Sequence, residues 1–243
     1  MSWHDGPMVA FDTETTGTDP TEARIVTACV AHVQAGEGVT RVRTWIANPG
    51  VPIPPEATAV HGITDEQVRA EGADPAVVAE EIADDLVAAW SAGVPVVAMN
   101  FAYDGTVLDC ELRRHGLVPL LDRLGSIPLR VIDPLVIDRA LDRYRRGKKR
   151  LTELCDVYGV ELGEAHTAAD DALAAARVAW RMAERFPEEL QRDLDELQVL
   201  QARWHVEWAD HFEEWMRQNV DPDTVIDRSW PLRSTARGEV SSR

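Results

Sequence analysis

The sequence predicts an α/β fold in which helices flank a mixed five-stranded sheet, with a helical extension at the C-terminal end. Three apolar runs near the N-terminus are separated by turn-forming residues, which is typical of a strand meander. Amphipathic segments then alternate with short apolar runs, as they do in α/β proteins. With 243 residues, of which 45% are hydrophobic, the chain can bury a substantial core.

The first strand is predicted over residues 9–15, and it ends in a turn rich in Thr, Gly, Asp and Pro. Residues 24–33 and 39–46 are further apolar runs, and the short segment between them predicts a hairpin connection. The proline-rich segment 48–55 does not suit a regular helix or a central strand, because proline lacks an amide donor and fixes φ. We therefore expect a three-stranded meander followed by a crossing loop.

Helices and two further strands are predicted beyond this loop. Thr64 is a candidate N-cap, because Gln67 follows three residues later as in a capping box. The apolar spacing is helical in several later segments, and short apolar runs between them predict strands. These elements are a helix over 75–90, a strand over 94–99, a helix over 103–115, a strand over 129–133, helices over 134–144 and 151–158, and an alanine-rich helix that ends near residue 185.

The composition restricts the class of protein. The net charge of −17 disfavours tight nonspecific binding of nucleic acid, but it is compatible with an enzyme that engages a few nucleotides through metal ions. No run approaches the roughly 18 apolar residues of a membrane span, and the N-terminus lacks signal-peptide features. We expect a soluble cytoplasmic protein without a membrane partner. The three cysteines are far apart and lie in apolar surroundings, which predicts buried, reduced thiols.

Two acids lie together on the first strand. Asp12 and Glu14 point to the same face, because side chains alternate along a strand. Neighbouring carboxylates repel, which is tolerable mainly when a cation lies between them. A strand that ends in a solvated acidic turn is the alternative interpretation.

Two later helices supply further acids. Asp104 follows a buried strand and faces inward from the first turn of its helix. At the start of the alanine-rich helix, Thr167 and Asp170 fit a capping box, whereas Asp171 shares the apolar face that packs on the sheet. Asp171 is therefore the candidate functional acid of this pair.

These four acids can share one site, because strand ends and the helices packed across them converge on one crevice in α/β sheets. Oxygen ligands suit Mg²⁺ or Mn²⁺, and two such ions about 4 Å apart support in-line displacement at phosphorus. The sequence thus predicts a divalent-metal site.

Three motifs resemble those of a known family. Residues 11–17 are Phe-Asp-Thr-Glu-Thr-Thr-Gly, residues 100–104 are Asn-Phe-Ala-Tyr-Asp, and residues 166–172 are His-Thr-Ala-Ala-Asp-Asp-Ala. They resemble the motifs of the DEDDh 3′–5′ exonucleases, the DnaQ-like group that includes the epsilon proofreading subunit of bacterial DNA polymerase III. The resemblance covers about residues 7–185, and residues 60–64 are also similar to epsilon-like members.

The resemblance implies a ribonuclease-H-like fold, with two Mg²⁺ or Mn²⁺ ions and a histidine as general base. The implied metal ligands are Asp12, Glu14, Asp104 and Asp171. His166 precedes Asp171 by five residues, so we expect it to project from the loop that enters the helix rather than to share a helical face. A neutral imidazole there can take a proton from the attacking water. Without the resemblance, a single histidine at a helix start is more often a surface residue.

The same resemblance implies substrate contacts. Thr15, Thr16 and His61 would hold the terminal nucleotide, and Asn100 and Phe101 would touch the 3′ end. The second motif departs from the family pattern, which usually opens with His-Asn-Ala and has Phe directly before the acid. Here the corresponding residues are Met-Asn-Phe at 99–101 and a tyrosine at 103, which bears on substrate fit.

Two later segments have less specific interpretations. The basic run over 143–150 is compatible with a solvated linker and with phosphate contact. Residues 188–218 are helical in composition and carry an aromatic stripe, which is more often used for packing than for ligand recognition. The stripe consists of Trp204, Trp208, Phe212 and Trp215. We expect it to dock on the catalytic domain or on a partner, and a homodimer through this helix is one option.

Three units are predicted: an exonuclease domain (1–186), a helical extension (187–220) and a loosely ordered tail (221–243). The predicted function is a metal-dependent 3′–5′ exonuclease that releases nucleoside 5′-monophosphates from single-stranded 3′ ends, with DNA favoured over RNA. A polymerase or another replication or repair protein is the expected partner. The alternative is an exonuclease-like interaction platform that acts through the Trp-bearing helix. Retained acids argue against this alternative, since an inactive site has no physical reason to keep them together.

Overall fold

The computed structural model describes residues 2–163 and 166–234. Its sheet has five strands in the order β3-β2-β1-β4-β5. The strands are β1 (Pro7–Thr15), β2 (Ile25–Gln34), β3 (Gly38–Ile46), β4 (Val96–Val97) and β5 (Val131–Ile132). The first three form an antiparallel meander, and β4 and β5 add in parallel beside β1. The predicted mixed five-stranded sheet is confirmed.

The helices alternate with the strands after the meander. They are α1 (Pro55–His61), α2 (Asp65–Glu71), α3 (Pro75–Ser91), α4 (Phe101–Arg114), α5 (Leu120–Leu124), α6 (Pro134–Leu141), α7 (Leu151–Tyr158), α8 (Ala168–Arg185), α9 (Pro187–Leu190) and α10 (Leu194–Asn219). The predicted cap at Thr64 is confirmed, because its hydroxyl accepts a hydrogen bond from the Gln67 amide at 3.2 Å. Helix α1 was not predicted. It begins with Pro55 at its first position, where proline needs no amide partner and its fixed φ suits a helix.

The two faces of β1 belong to two different cores. Val9 and Phe11 pack with α3 and α4 on one side of the sheet, whereas Met8 and Ala10 pack with α7 and α8 on the other. The small alanine side chains of α8 allow this helix to approach the sheet closely, and several of them are completely buried. Asp12 lies two residues beyond Ala10 and therefore points to the α8 side of the strand.

Helix α10 covers the open edge of the sheet. An edge strand presents unpaired backbone groups, which need partners when they are buried. The side-chain oxygen of Gln198 accepts from the Val131 amide at 2.8 Å, and that of Gln201 accepts from the Asp133 amide at 2.8 Å. The Gln201 side-chain amide donates to the Val131 carbonyl at 2.7 Å. Two glutamines thus take the place of a sixth strand.

The predicted loosely ordered tail is wrong for the part of it that the structure describes. The Trp230 indole donates to an Asp133 carboxylate oxygen at 3.3 Å, and the Arg233 amide donates to the Thr106 hydroxyl at 2.8 Å. Leu232 packs against the α3–α4 core. Residues 230–233 therefore return to the framework of the sheet, where Trp230 and Leu232 pack against the α3–α4 core. Residues 235–243 lie outside the described residues.

The three cysteines are reduced and buried, as predicted. None of the described helices is both long and apolar enough to span a membrane.

Candidate active site

The predicted acids meet at the C-terminal end of β1. Asp12 and Glu14 lie on the same face of this strand, and Asp171 lies in the first turn of α8, which packs across that face. Asp104 lies in the first turn of α4 and is only 4% exposed. Thr13, on the opposite face of β1, holds Asp104: its amide and hydroxyl both donate to one Asp104 carboxylate oxygen, at 3.1 and 2.6 Å.

Burial raises the pKa of all four acids, and their charges add to the rise for Asp12 and Glu14. Burial and the charges of Asp104, Glu14 and Asp171 raise the pKa of Asp12 well above its ordinary value. Burial and the charges of Asp171 and Asp104 raise the pKa of Glu14 to about 8. Burial raises the pKa of Asp104 to about 7, although the Thr13 hydrogen bonds oppose this rise. A divalent cation among these acids would compensate their charges and favour their ionised forms.

His166 joins this cluster from the loop before α8. Its backbone φ is +68°, a left-handed conformation that is uncommon for a residue with a side chain. The His166 amide donates to one carboxylate oxygen of Asp171 at 3.2 Å. The potential ligand atoms of Glu14, His166 and Asp171 all lie within 4.8 Å of one another. The left-handed turn thus returns the imidazole toward the acids, five residues before Asp171.

The other Asp171 carboxylate oxygen is buried and has no hydrogen-bond partner among the described residues. Burial raises the pKa of this carboxyl group. An unpartnered buried oxygen is unfavourable by about 1–3 kcal/mol unless something else binds it. Oxygen donors from four carboxylates fit a hard divalent cation, so the residues present suit the metal site that the motifs imply.

A cavity of about 490 Å³ adjoins Glu14. Thr15 and Thr16 line it from the end of β1, and His61 lines it from the end of α1. Burial lowers the pKa of His61, and its Nδ1 accepts from the Ile63 amide at 3.1 Å. Because Nδ1 accepts, the neutral ring carries its proton on the buried Nε2, which makes no hydrogen bond of normal geometry in the described part of the chain and lies near the Thr15 backbone.

Asn100 and Phe101 lie differently from the prediction. Asn100 is the N-cap of α4, has φ +69° and does not line the cavity. Phe101 is 0% exposed, and its ring packs edge-on against Phe11 and Trp90 at centroid distances of 6.4 and 6.3 Å. The predicted contact of the Phe101 side chain with the 3′ end is therefore wrong. Phe101 packs in the core because α4 begins at this residue, shortly after β4 ends at Val97.

Two further residues belong to the site: Tyr103, which was expected to bear on substrate fit, and Asp133, which was not predicted. Tyr103 lines the cavity, and its hydroxyl donates to the Gly17 carbonyl and shares a hydrogen bond with the Thr15 hydroxyl. Asp133 is buried beside the start of α4, where its carboxylate accepts from the amides of Asn100 and Phe101 at 2.9 and 3.1 Å. Asp133 also caps α6. An aspartate between a strand and a proline indicates such a cap, but its reach to α4 depends on the parallel pairing of β4 and β5.

Comparisons with known proteins agree with the motifs. The sequence profile of the exonuclease family (RNase_T) matches residues 9–179. A PolC-type DNA polymerase III of Listeria innocua is 27% identical over 183 residues, which are 75% of this chain and 12% of the polymerase. That of Staphylococcus aureus is 28% identical over 186 residues, 76% of this chain and 12% of the polymerase. The chain thus spans only a small part of the length of these relatives.

Solved structures share the fold. Exonuclease I of E. coli in complex with a dT13 oligonucleotide superposes with a TM-score of 0.62 and 21% identity, over 75% of this chain and 42% of that chain. Exonuclease I of Methylocaldum szegediense gives 0.61 and 24%, over 75% of this chain and 41% of that chain. These structural similarities confirm the ribonuclease-H-like fold, and the sequence matches agree with the resemblance to DnaQ-like 3′–5′ exonucleases. With a profile match over more than half of its length, the chain belongs to the exonuclease family (RNase_T).

Proposed function

We propose that this chain is a divalent-metal-dependent 3′–5′ exonuclease that releases nucleoside 5′-monophosphates from single-stranded 3′ ends. The observation that carries the proposal is the convergence of four carboxylates whose pKa values are all raised, with one buried Asp171 oxygen left without a partner among the described residues. Surface acids without a function rarely cluster in this way, because their charges repel one another. A phosphodiester that enters such a site needs cations, because its own charge would otherwise be repelled.

Asp12, Glu14, Asp104 and Asp171 would hold two Mg²⁺ or Mn²⁺ ions. Bound ions of this kind supply charge neutralisation at the phosphate and at the leaving oxygen in phosphodiester hydrolysis. Thr13 keeps Asp104 in place through two hydrogen bonds to one carboxylate oxygen. This leaves the other oxygen of Asp104 free of Thr13 and available to an ion.

His166 is the general base of the proposal. Its side chain is exposed, lies close to Glu14 and Asp171, and is held there by the hydrogen bond from its own amide to Asp171. In its neutral form, a ring nitrogen accepts the proton of the attacking water, and the proton then leaves to solvent. An exposed position suits this role, because the histidine must release the proton after each turnover.

The cavity beside Glu14 would hold the terminal nucleotide. Thr15, Thr16 and His61 line it as the resemblance implies, and Tyr103 closes one side. The Tyr103–Gly17 hydrogen bond fixes the turn that ends β1, so the cavity wall is formed before substrate arrives. DNA is favoured over RNA because the curated relatives are DNA polymerases and the neighbouring Exonuclease I structure contains a dT13 oligonucleotide. A polymerase or another replication or repair protein is the partner we propose.

The experiment that tests the proposal follows 5′-labelled and 3′-labelled oligonucleotides of matched DNA and RNA sequence in Mg²⁺ or Mn²⁺. A 3′–5′ exonuclease releases the 3′ label at once as a mononucleotide and shortens the 5′-labelled strand stepwise. Asp12→Asn should abolish both signals, whereas Asp122→Asn, an exposed acid on α5, should change neither. Equal degradation by wild-type protein and Asp12→Asn would contradict the proposal.

A further inference from the structure

An aromatic ladder runs along one side of α10. We use this name for Trp208, Phe212 and Trp215, whose rings are nearly parallel. The centroids of Trp208 and Phe212 are 5.3 Å apart with an interplanar angle of 16°, and those of Phe212 and Trp215 are 6.1 Å apart at 9°. Trp215, at the end of the ladder, is 52% exposed. Trp208 and Phe212 are half-buried, so the ring of Trp215 is the most accessible part of the ladder.

Packing does not account for this ladder. The face of α10 that docks on the rest of the chain carries Leu197, Gln201 and Ala209, which are completely buried. Within the described residues, Trp204 is the only member of the predicted stripe that packs against a core cluster. The interpretation of the stripe as a packing surface therefore holds for Trp204 and leaves the three ladder residues unexplained.

Cations lie on the same side as the ladder. The Arg139 guanidinium sits 3.6 Å from the centroid of the Trp208 ring, a cation–π contact. Arg139, Arg143 and Lys149 line a groove of about 480 Å³ together with the ladder, and Glu207, which also lines it, pairs with Arg203 at 3.6 Å. Lys149 binds the Asp138 carboxylate at 2.5 Å, whereas the exposed Arg143 pairs with no carboxylate in residues 2–163 and 166–234. Both residues of the basic run line the groove, but only Lys149 is held by a carboxylate among the described residues, which leaves the Arg143 guanidinium available to a ligand.

The chemistry of the groove fits single-stranded nucleic acid. Flat aromatic faces stack on unpaired bases, and arginine contacts phosphates or stacks on bases. A duplex would not expose its base faces to the ladder. Acidic residues outnumber basic ones in this chain, which has a net charge of −17. A group of cations beside the ladder therefore favours binding of a polyanion there. An acidic peptide would neutralise the cations, but it has no regular series of flat groups that would stack on three parallel rings.

Helix α6 links the groove to the active site. It carries Arg139 and begins after Asp133, whose carboxylate accepts from the first amides of α4. Helix α4 carries Asp104 in its first turn. The groove therefore adjoins the framework of the active site.

We propose that the groove formed by the aromatic ladder with Arg139 and Arg143 binds the upstream nucleotides of a single strand whose 3′ end lies in the active site. This inference rests on the proposed function. It assigns a task to the C-terminal helix: the helix holds the part of the substrate that the catalytic residues do not touch. Long strands would then bind more tightly than short ones, and they would stay bound between successive cleavages.

The test compares oligomers of about four and about twenty nucleotides, in DNA and RNA form, on the full chain. Binding is measured in EDTA by tryptophan quenching and by anisotropy of a 5′ label, so that this readout is independent of hydrolysis. Trp215→Ala and Arg143→Glu should weaken binding of the long oligomer about five- to a hundredfold, the range expected for one lost base stack. They should raise its KM by a similar factor and leave kcat and the short oligomer unchanged.

Trp180→Ala is the matched control. The Arg181 guanidinium lies 5.2 Å from the centroid of the Trp180 ring, which is a similar cation–π contact. Both residues are on α8 and outside the groove. This variant should bind and hydrolyse both oligomers like the wild type, once circular dichroism has shown that all variants are folded.

The outcomes separate this inference from the proposed function. If both oligomers are hydrolysed and the groove variants bind the long one normally, the groove inference is overturned and the proposed function stands. If nothing is hydrolysed but the wild type binds the long oligomer more tightly than the variants do, the proposed function fails and the groove remains a nucleic-acid site. Binding of a tryptophan-containing acidic peptide without any oligonucleotide would overturn the inference in favour of a protein partner. A dimer that Trp215→Ala converts to a monomer would overturn it in favour of a second copy.

Discussion

Replacing Glu14 by glutamine should stabilise the metal-free protein and, at the same time, remove its response to metal. Glutamine keeps the shape of the side chain and eliminates its charge. In the folded chain, burial and the charges of Asp171 and Asp104 raise the pKa of Glu14 from 4.5 to about 8. A raised pKa means that folding favours the protonated form. This favourable contribution is complete below about pH 4.5 and is lost as the pH rises through about 8.

The magnitude follows from the difference between the folded and unfolded pKa values of Glu14. At about 1.4 kcal/mol per pKa unit, the full difference corresponds to about 5 kcal/mol above pH 8. Because the side chain is only half-buried, solvent screening reduces this to about 2 kcal/mol. For a chain of this size, about 2 kcal/mol corresponds to about 4–8 °C in Tm.

The assay is thermal unfolding in EDTA and in excess Mg²⁺, at pH 5 and pH 8. Glu14→Gln should unfold at a higher temperature than the wild type in EDTA at pH 8 and at nearly the same temperature at pH 5. Saturating Mg²⁺ at about a hundred times its Kd should stabilise the wild type by about 2.7 kcal/mol and the variant by much less. Glu56→Gln, an exposed acid on the wall of the same cavity, is the control. Equal Tm values in EDTA at pH 8, or an equal rise in Mg²⁺, would refute the charge-repulsion account.

Three further predictions concern single contacts. His166→Gln should lower kcat about 10²–10⁴-fold and keep the Mg²⁺-induced rise in Tm, because a general base is lost but no ligand; loss of that rise would instead make His166 a metal ligand. Thr13→Val removes the 2.6 Å hydrogen bond to Asp104. It should raise the Mg²⁺ concentration for half-maximal activity about tenfold, as expected for the loss of one hydrogen bond to a charged group. An unchanged Mg²⁺ titration would count against this role of Thr13. Gln201→Leu should lower the free energy of unfolding by about 2–4 kcal/mol in urea titrations, because two backbone groups of the sheet edge lose their partners. Gln218→Leu, on the exposed face of the same helix, should change it by less than about 0.5 kcal/mol.

The sequence was sufficient for those features that depend on local pattern. Alternation along β1 placed Asp12 and Glu14 on one face, and the apolar stripe of α8 distinguished Asp171 from its capping neighbour Asp170. The Thr167 hydroxyl indeed accepts from the Asp170 amide at 3.2 Å. These predictions needed only the periods of strand and helix and the chemistry of a helix start.

Features that depend on which strands become neighbours were not accessible from the sequence. Asp133 reaches Asn100 only because β5 pairs with β4, and nothing in the local sequence states that pairing. Phe101 looked like a substrate contact because of its place in a motif, but its burial follows from the packing of α3 and α4 on the sheet. His166 was predicted to project from a loop, whereas its left-handed backbone, which directs it toward Asp171, required the structure.

The predicted domain boundary at residue 186 follows a change in composition, but hydrogen bonds connect the two sides of it. The change from alanine-rich to charged sequence is real, yet Gln201 completes the hydrogen bonding of β5 and Trp230 completes that of Asp133. Asp133 in turn holds the first amides of α4, the helix that carries Asp104. A chain cut after residue 186 would remove the Trp230 hydrogen bond from this buried carboxylate and would leave the sheet edge without its glutamine partners. The C-terminal segment is therefore part of the framework that positions Asp104, a proposed metal ligand, and its contribution to activity must be tested by point variants in the full chain rather than by truncation.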